Sequence, residues 1–271
     1  MRFDDGFALY ARACLNSIKE NYPNHPQLII DYSGNDRRLT DTLVAMRARI
    51  LPPEPPPEYT RHLKKGRVGQ PVFDRFRLWR SAFRSFDTIL HLDADTLVLH
   101  PLDDLFEKPH PFFVANHEAS AGVQVFDPVH DDNDQLTRML CEDGLPALNA
   151  PDDMVNAGVF TLPSASRTPG NIALLARLAR RYGRYLAFAD QSLLSLWLAA
   201  LGQRPSTDFA DNFQTPFFTA PDVPVAQKDI RILHFSSHRK PGTHAFETWD
   251  RVGPARAWIM QTFERYAGDT G

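Results

Sequence analysis

Apolar positions along the chain fall into alternating helical and extended runs. Phe7, Ala11, Cys14 and Ile18 recur at helical spacing across residues 5 to 21, and Pro23 ends the stripe. Leu28 to Tyr32 is a short apolar strand closed by Ser33-Gly34-Asn35, and a second helix is predicted from Arg38 to Arg47. Residues 52 to 71 are rich in proline at the head and glycine at the tail, which predicts a loop. A helix over FDRFRLWRSAF, with Trp79 and Phe83 in the core, precedes a strand over Thr88 to Leu92. Further strands are predicted at Phe112 to Ala115, Asn156 to Leu162 and Ile230 to Phe235. Helices are predicted near Leu136 to Leu140, at Asn171 to Tyr182 and at Asp190 to Leu201. A terminal helix covers 244–267, its apolar stripes running from Phe246 to Tyr266. Strands separated by helices predict an α/β domain around one mostly parallel central sheet, with residues 1–271 forming a single domain.

Composition narrows the function classes. The chain has 271 residues, 43% of them hydrophobic, and no window approaches the ~20 apolar residues of a membrane span. No basic n-region followed by an apolar stretch opens the sequence, so the expected compartment is the cytoplasm. A net charge of −3 lacks the footprint of a nucleic-acid binder. Two cysteines, Cys14 and Cys141, form no disulfide framework and are expected to be reduced and buried. Oligomeric state is not legible.

The candidate chemistry lies between residues 86 and 106, in FDTILHLDADTLVLHPLDDLF. Here an apolar strand ends in Asp93 and Asp95 and then resumes as Leu97, Val98 and Leu99. Carboxylates at the end of a covered strand need a cation, and oxygen ligands of this kind suit Mn2+ or Mg2+. The same spacing at Asp132 and Asp134 lies in a polar run without an apolar frame. His91, inside the apolar strand, is expected to be a hydrogen-bonded core residue.

Four further segments join the pair. Asn156-Ala157-Gly158-Val159-Phe160 begins a strand, Asp190-Gln191 opens a helix with Asp190 as the natural N-cap, and His234-Phe235 leads to Lys240-Pro241. Arg75 and Arg77 precede the carboxylate strand. In this order the segments resemble the retaining glycosyltransferases of family 8, the glycogenin-like enzymes with a GT-A fold. The likeness spans about residues 4 to 242.

That resemblance implies a metal site of Asp93, Asp95 and His234 holding Mn2+, with Mg2+ as the alternative. It implies a UDP-sugar donor contacted by Asp4, Phe7, Arg75, Asp93, Asn156, Gly158 and Lys240, with Asp190 and Gln191 as the catalytic pair. It implies transfer to a hydroxyl acceptor, expected to be a saccharide. The chain departs from the family at several points. Only Met1, Arg2 and Phe3 precede the Asp4-Asp5-Gly6-Phe7 segment, where the family has a full strand. Phe7 stands for tyrosine, Ser237 for glycine, Gly242 for tryptophan and Ser195 for a frequent asparagine. Residues 202 to 230 hold no tyrosine, so self-glucosylation is not expected. A sugar nucleotidyltransferase would need a Gly-rich strand-to-helix loop with a basic residue near the N-terminus, which is missing. A degenerate nucleotide-sugar-binding or scaffold protein on the same fold stays open at this stage.

Overall fold

The computed structural model describes residues 2–3, 7–32, 35–51, 54–63, 70–116, 125–127, 133–148, 150–215, 225–236, 240–247 and 255–268. Asp4, Asp132 and Ser237 therefore lie outside the described residues. The strands are β1 (Arg2–Phe3), β2 (Ile29–Tyr32), β3 (Arg49–Leu51), β4 (Thr88–Leu92), β5 (Thr96–Val98), β6 (Phe112–Ala115), β7 (Val155–Pro163), β8 (Phe213–Gln214) and β9 (Ile232–His234). The helices are α1 (Ala8–Asn21), α2 (Arg37–Ala45), α3 (Asp103–Phe106), α4 (Asn133–Glu142), α5 (Pro169–Tyr182), α6 (Ala189–Ala200), α7 (His244–Glu247) and α8 (Ala255–Ala267).

The α/β class holds, and among the described residues the central sheet is not one continuous sheet. Among the described residues the strands form three three-stranded sheets, ordered β1-β2-β3, β4-β7-β6 and β5-β9-β8. Pairing is parallel for β1–β2, β2–β3 and β8–β9, and antiparallel for β5–β9 and β6–β7. The turn at Asp93–Asp95 interrupts the apolar run, so its two halves join different sheets. The chain divides into two compact units, one of residues 1–54, 92–103 and 208–271 and one of 55–91 and 104–207.

In the first unit α1 packs on β5 and α8. Leu97, Phe213, Leu233, Phe235, Phe246, Ile259 and Phe263 form its core. β5 is an edge strand, and edge backbone groups need partners. Helix α1 supplies them: Ser17 Oγ accepts from the Val98 N–H at 2.9 Å, and Asn21 Nδ2 donates to the Val98 carbonyl at 3.0 Å. Asp36 caps α2 by accepting from Leu39 N at 2.7 Å.

The second unit is built on β7, whose nine residues are all buried, as a central strand covered on both faces requires. Phe160 stacks on both Phe113 (4.8 Å between centroids) and His91 (4.6 Å), while Trp79 meets Trp197 edge-on at 5.2 Å. The segment expected to be an α-helix, FDRFRLWRSAF, is instead a 3₁₀ helix over Gln70–Trp79 followed by a 3₁₀ turn over Ser81–Phe83. Its buried residues explain the winding. Phe73, Phe76 and Trp79 recur every third position, which places them on one face at three residues per turn. Helix α6 is apolar on nearly all sides and accordingly buried, with Leu193, Leu194, Leu196, Trp197 and Leu198 in the core. Thr168 caps α5, with Pro169 at its first position. Gly183, just after α5, allows a close approach, because a Cβ there would overlap the carbonyl oxygens of His62 and Ala179.

Two smaller corrections concern the termini and thiols. The terminal helix is described as the turn α7 and the helix α8, residues 248–254 between them lying outside the described residues. Cys14 is buried as expected, but Cys141 is exposed, because it lies on the outer side of α4.

Candidate functional site

The register of β5 against β9 creates the cluster in the first unit. Thr96 pairs with His234, and one residue further the Phe235 N–H donates to the Asp95 carbonyl at 2.9 Å. A separation of some 140 positions in sequence is thereby closed: one ligand atom from each of Asp93, Asp95 and His234 lies within 4.8 Å of the others. The turn between β4 and β5 is braced by Thr96 Oγ1, which donates to the Asp93 carbonyl at 2.9 Å.

His234 Nε2 stands 3.6 Å from Asp95 Oδ1, in ion-pair range but beyond a hydrogen bond. Lys240 Nζ pairs with the other oxygen, Asp95 Oδ2, and also donates to the Phe235 carbonyl at 2.8 Å. The same ammonium lies 5.8 Å from the centroid of Phe7, which is partly exposed. Burial pushes the Asp95 carboxyl upward, yet the His234 ring and the Lys240 charge outweigh it and hold the group below its ordinary 3.8. The thiol of Cys14, 3.5 Å from Thr96 Oγ1, is pushed up to about 12 by burial. Tyr10 donates to the Pro241 carbonyl at 2.9 Å, tying α1 to the segment that carries Lys240.

These donors fit a divalent ion. With metal–oxygen bonds of about 2.1 Å, ligands on opposite sides of an ion stand about 4.2 Å apart, so a small contraction of the cluster would complete the set. Two carboxylates suit Mg2+ or Mn2+ equally, and the imidazole tilts the choice toward the transition metal.

The second unit gathers the remaining candidates. Arg75 Nη1 lies 3.3 Å from Asp190 Oδ2 and also donates to the Ala157 carbonyl. Asn116 Nδ2 donates to Gln191 Oε1 at 3.0 Å. Asn156 is the second residue of β7, and its Oδ1 accepts from the Gly158 N–H at 2.9 Å. Asp190 is not the N-cap of α6. Phe188 takes that position, so Asp190 sits in the first helical turn, where the helix dipole still favours a carboxylate. Ser195 donates to the Gln191 carbonyl at 2.8 Å and accepts from the Val155 N–H at 3.0 Å, linking α6 to β7.

Sequence reasoning missed two residues here. Asn212 Oδ1 meets His234 Nδ1 at 3.1 Å, and Asn116 holds Gln191; both are buried. Neither lies in a motif, and an isolated asparagine at the end of a strand carries no signal of its own. Asp4 lies outside the described residues, while Gly242 adopts a positive φ of 80°, which suits a glycine where the family has tryptophan.

No family model matches the chain, and no curated protein matches it. Solved structures do. The galactosyltransferase LgtC, solved with donor and acceptor sugar analogues, aligns over 98% of this chain and 94% of its own at 16% identity, with a TM-score of 0.68. The apo bifunctional glycosyltransferase WbbM aligns over 96% of this chain and 50% of its own at 16% identity and a TM-score of 0.64. The glycosyltransferase GlyE of Streptococcus pneumoniae TIGR4 aligns over 96% and 62%, at 16% identity and 0.56. The chain thus spans about half the length of WbbM and nearly all of LgtC. At this level of identity the likeness concerns the fold, and the fold is that of the GT-A glycosyltransferases.

Proposed function

We propose that the protein is a retaining hexosyltransferase of the family 8 kind, moving a sugar from a UDP-sugar to a hydroxyl of a saccharide acceptor with Mn2+ bound. The observation that carries this reading is the convergence of Asp93, Asp95 and His234 on one point, with Lys240 on the same carboxylate. Such a set suits a diphosphate and its ion better than it suits any neutral ligand. The fold shared with LgtC, solved with donor and acceptor sugar analogues, supports both kinds of partner.

In this reading Asp93, Asp95 and His234 hold the ion, which when bound stabilises the negative charge growing on the departing diphosphate. Lys240 exchanges its contact with Asp95 for one with a phosphate oxygen, a charge-assisted hydrogen bond of comparable strength. Phe7, beside the ammonium, offers a face to the nucleotide base, and Asp4 belongs to the same segment. Asn156, Gly158 and Asp190 serve the sugar. Arg75 orients Asp190 through their ion pair, and Asn116 fixes the Gln191 amide through its oxygen so that its nitrogen can donate to a sugar oxygen.

Calorimetric titration with UDP, with and without Mn2+, tests the reading. Metal-linked binding is expected, and binding indifferent to Mn2+ would sink it. Hydrolysis of a panel of UDP-sugars by wild type and Asp95→Ala then tests turnover: at least a hundredfold loss is expected, whereas binding without hydrolysis in wild type would favour a nucleotide-sugar-binding protein without turnover.

A further inference from the structure

Asn212 precedes β8 and is fully buried beside β9, the central strand that carries His234. Its Oδ1 lies 3.1 Å from His234 Nδ1. An amide oxygen can only accept, so the ring nitrogen facing it must carry the proton. In a neutral imidazole this leaves the lone pair on Nε2, the nitrogen that stands 3.6 Å from Asp95 Oδ1 within the three-residue cluster. β9 is held on both sides, Thr96 of β5 and Gln214 of β8 pairing with His234, so the backbone is fixed and the ring is the remaining freedom.

We infer that Asn212 is a positioning residue: it selects the Nδ1–H tautomer of His234 and aims Nε2 at the ion. The inference rests on the metal site proposed above. Imidazole ligands commonly donate their second N–H in this way, and loss of the partner weakens metal binding about 10- to 100-fold.

The test compares Mn2+ affinity, read from the electron paramagnetic resonance signal of the free ion, in wild type, Asn212→Leu and Asn212→Asp. A carboxylate accepts the same hydrogen bond more strongly. The expected order is therefore Asn212→Asp at least as tight as wild type, and Asn212→Leu about 10- to 100-fold weaker. A residue that merely fills space would give a different pattern, because the buried charge of Asn212→Asp would harm packing as much as the leucine. Equal weakening of both variants, or no weakening in Asn212→Leu, overturns the inference. Wild type that binds no Mn2+ overturns the proposed metal site itself and the inference with it. Long-range ¹H–¹⁵N spectra of the ion-free wild type provide a second reading that needs no variant. The His234 proton is expected on Nδ1, and a proton on Nε2 overturns the inference even if Asn212→Leu fails to fold.

Discussion

The two clusters of candidate site residues, one in each unit, treat their charges in opposite ways. In the second, polar groups answer one another: Arg75 pairs with Asp190, and Asn116 binds Gln191. In the first, like charges are brought together, with Asp93 and Asp95 converging on His234 and Lys240 paired with Asp95. Mutual pairs are satisfied before any ligand arrives and so are suited to orienting a neutral sugar. Convergent carboxylates gain most from an added cation, which suits them to metal and phosphate. The difference also separates how each unit should respond to mutation.

The largest expected effect is in the second unit. Asp190→Ala removes the carboxylate partner of the poorly solvated Arg75 guanidinium, and loss of one member of a buried pair costs about 3–5 kcal/mol. Removing both members with Arg75→Met and Asp190→Leu together should recover much of this. Denaturant unfolding of the two singles and the double gives the coupling, expected at about 1–3 kcal/mol. A coupling near zero would mean that the pair is not self-satisfying and that the contrast between the units fails.

A smaller effect of opposite sign is expected in the first unit. Lys240→Met removes the ammonium that competes for Asp95, so Mn2+ should bind the nucleotide-free protein about tenfold tighter, a change of about 1.4 kcal/mol. The same variant should bind UDP with Mn2+ about tenfold more weakly, since a phosphate partner is lost. Calorimetry on the one variant reads both changes, and a fall in both affinities would show that the lysine supports the cluster rather than occupying it.

The smallest effect concerns the thiols. Cys14, buried beside β5 and pushed up to about 12, has almost no thiolate at pH 8, whereas Cys141 is exposed. Alkylation of the native protein should label Cys141 alone, with Cys14 labelled only after unfolding or as the pH nears 12. Mass spectrometry of the labelled peptides checks this, and native labelling of Cys14 would show that α1 opens from β5.

Much of the site was legible because its residues sit in local patterns. The apolar frame around Asp93 and Asp95 announced a turn at a strand end, and the spacing from His234 to Lys240 singled out the histidine. The short strands β3 and β8 escaped because two or three residues give no periodicity. The 3₁₀ winding of Gln70–Trp79 was concealed for a different reason, since its apolar spacing also fits one side of an α-helix. Asn116 and Asn212 were illegible, because their roles depend on partners far away in sequence.

By itself the sequence determined the alternation of strands and helices and singled out the candidate residues of the site. Those properties follow from side-chain type and local spacing. The tertiary structure alone decided that the strands of the described residues divide into three sheets, that β5 runs against β9, and that Asn212 meets the His234 ring. These depend on backbone pairing between distant segments. Register is chosen by the packing of whole faces, and a change of one residue would turn every side chain on the strand away from its partner.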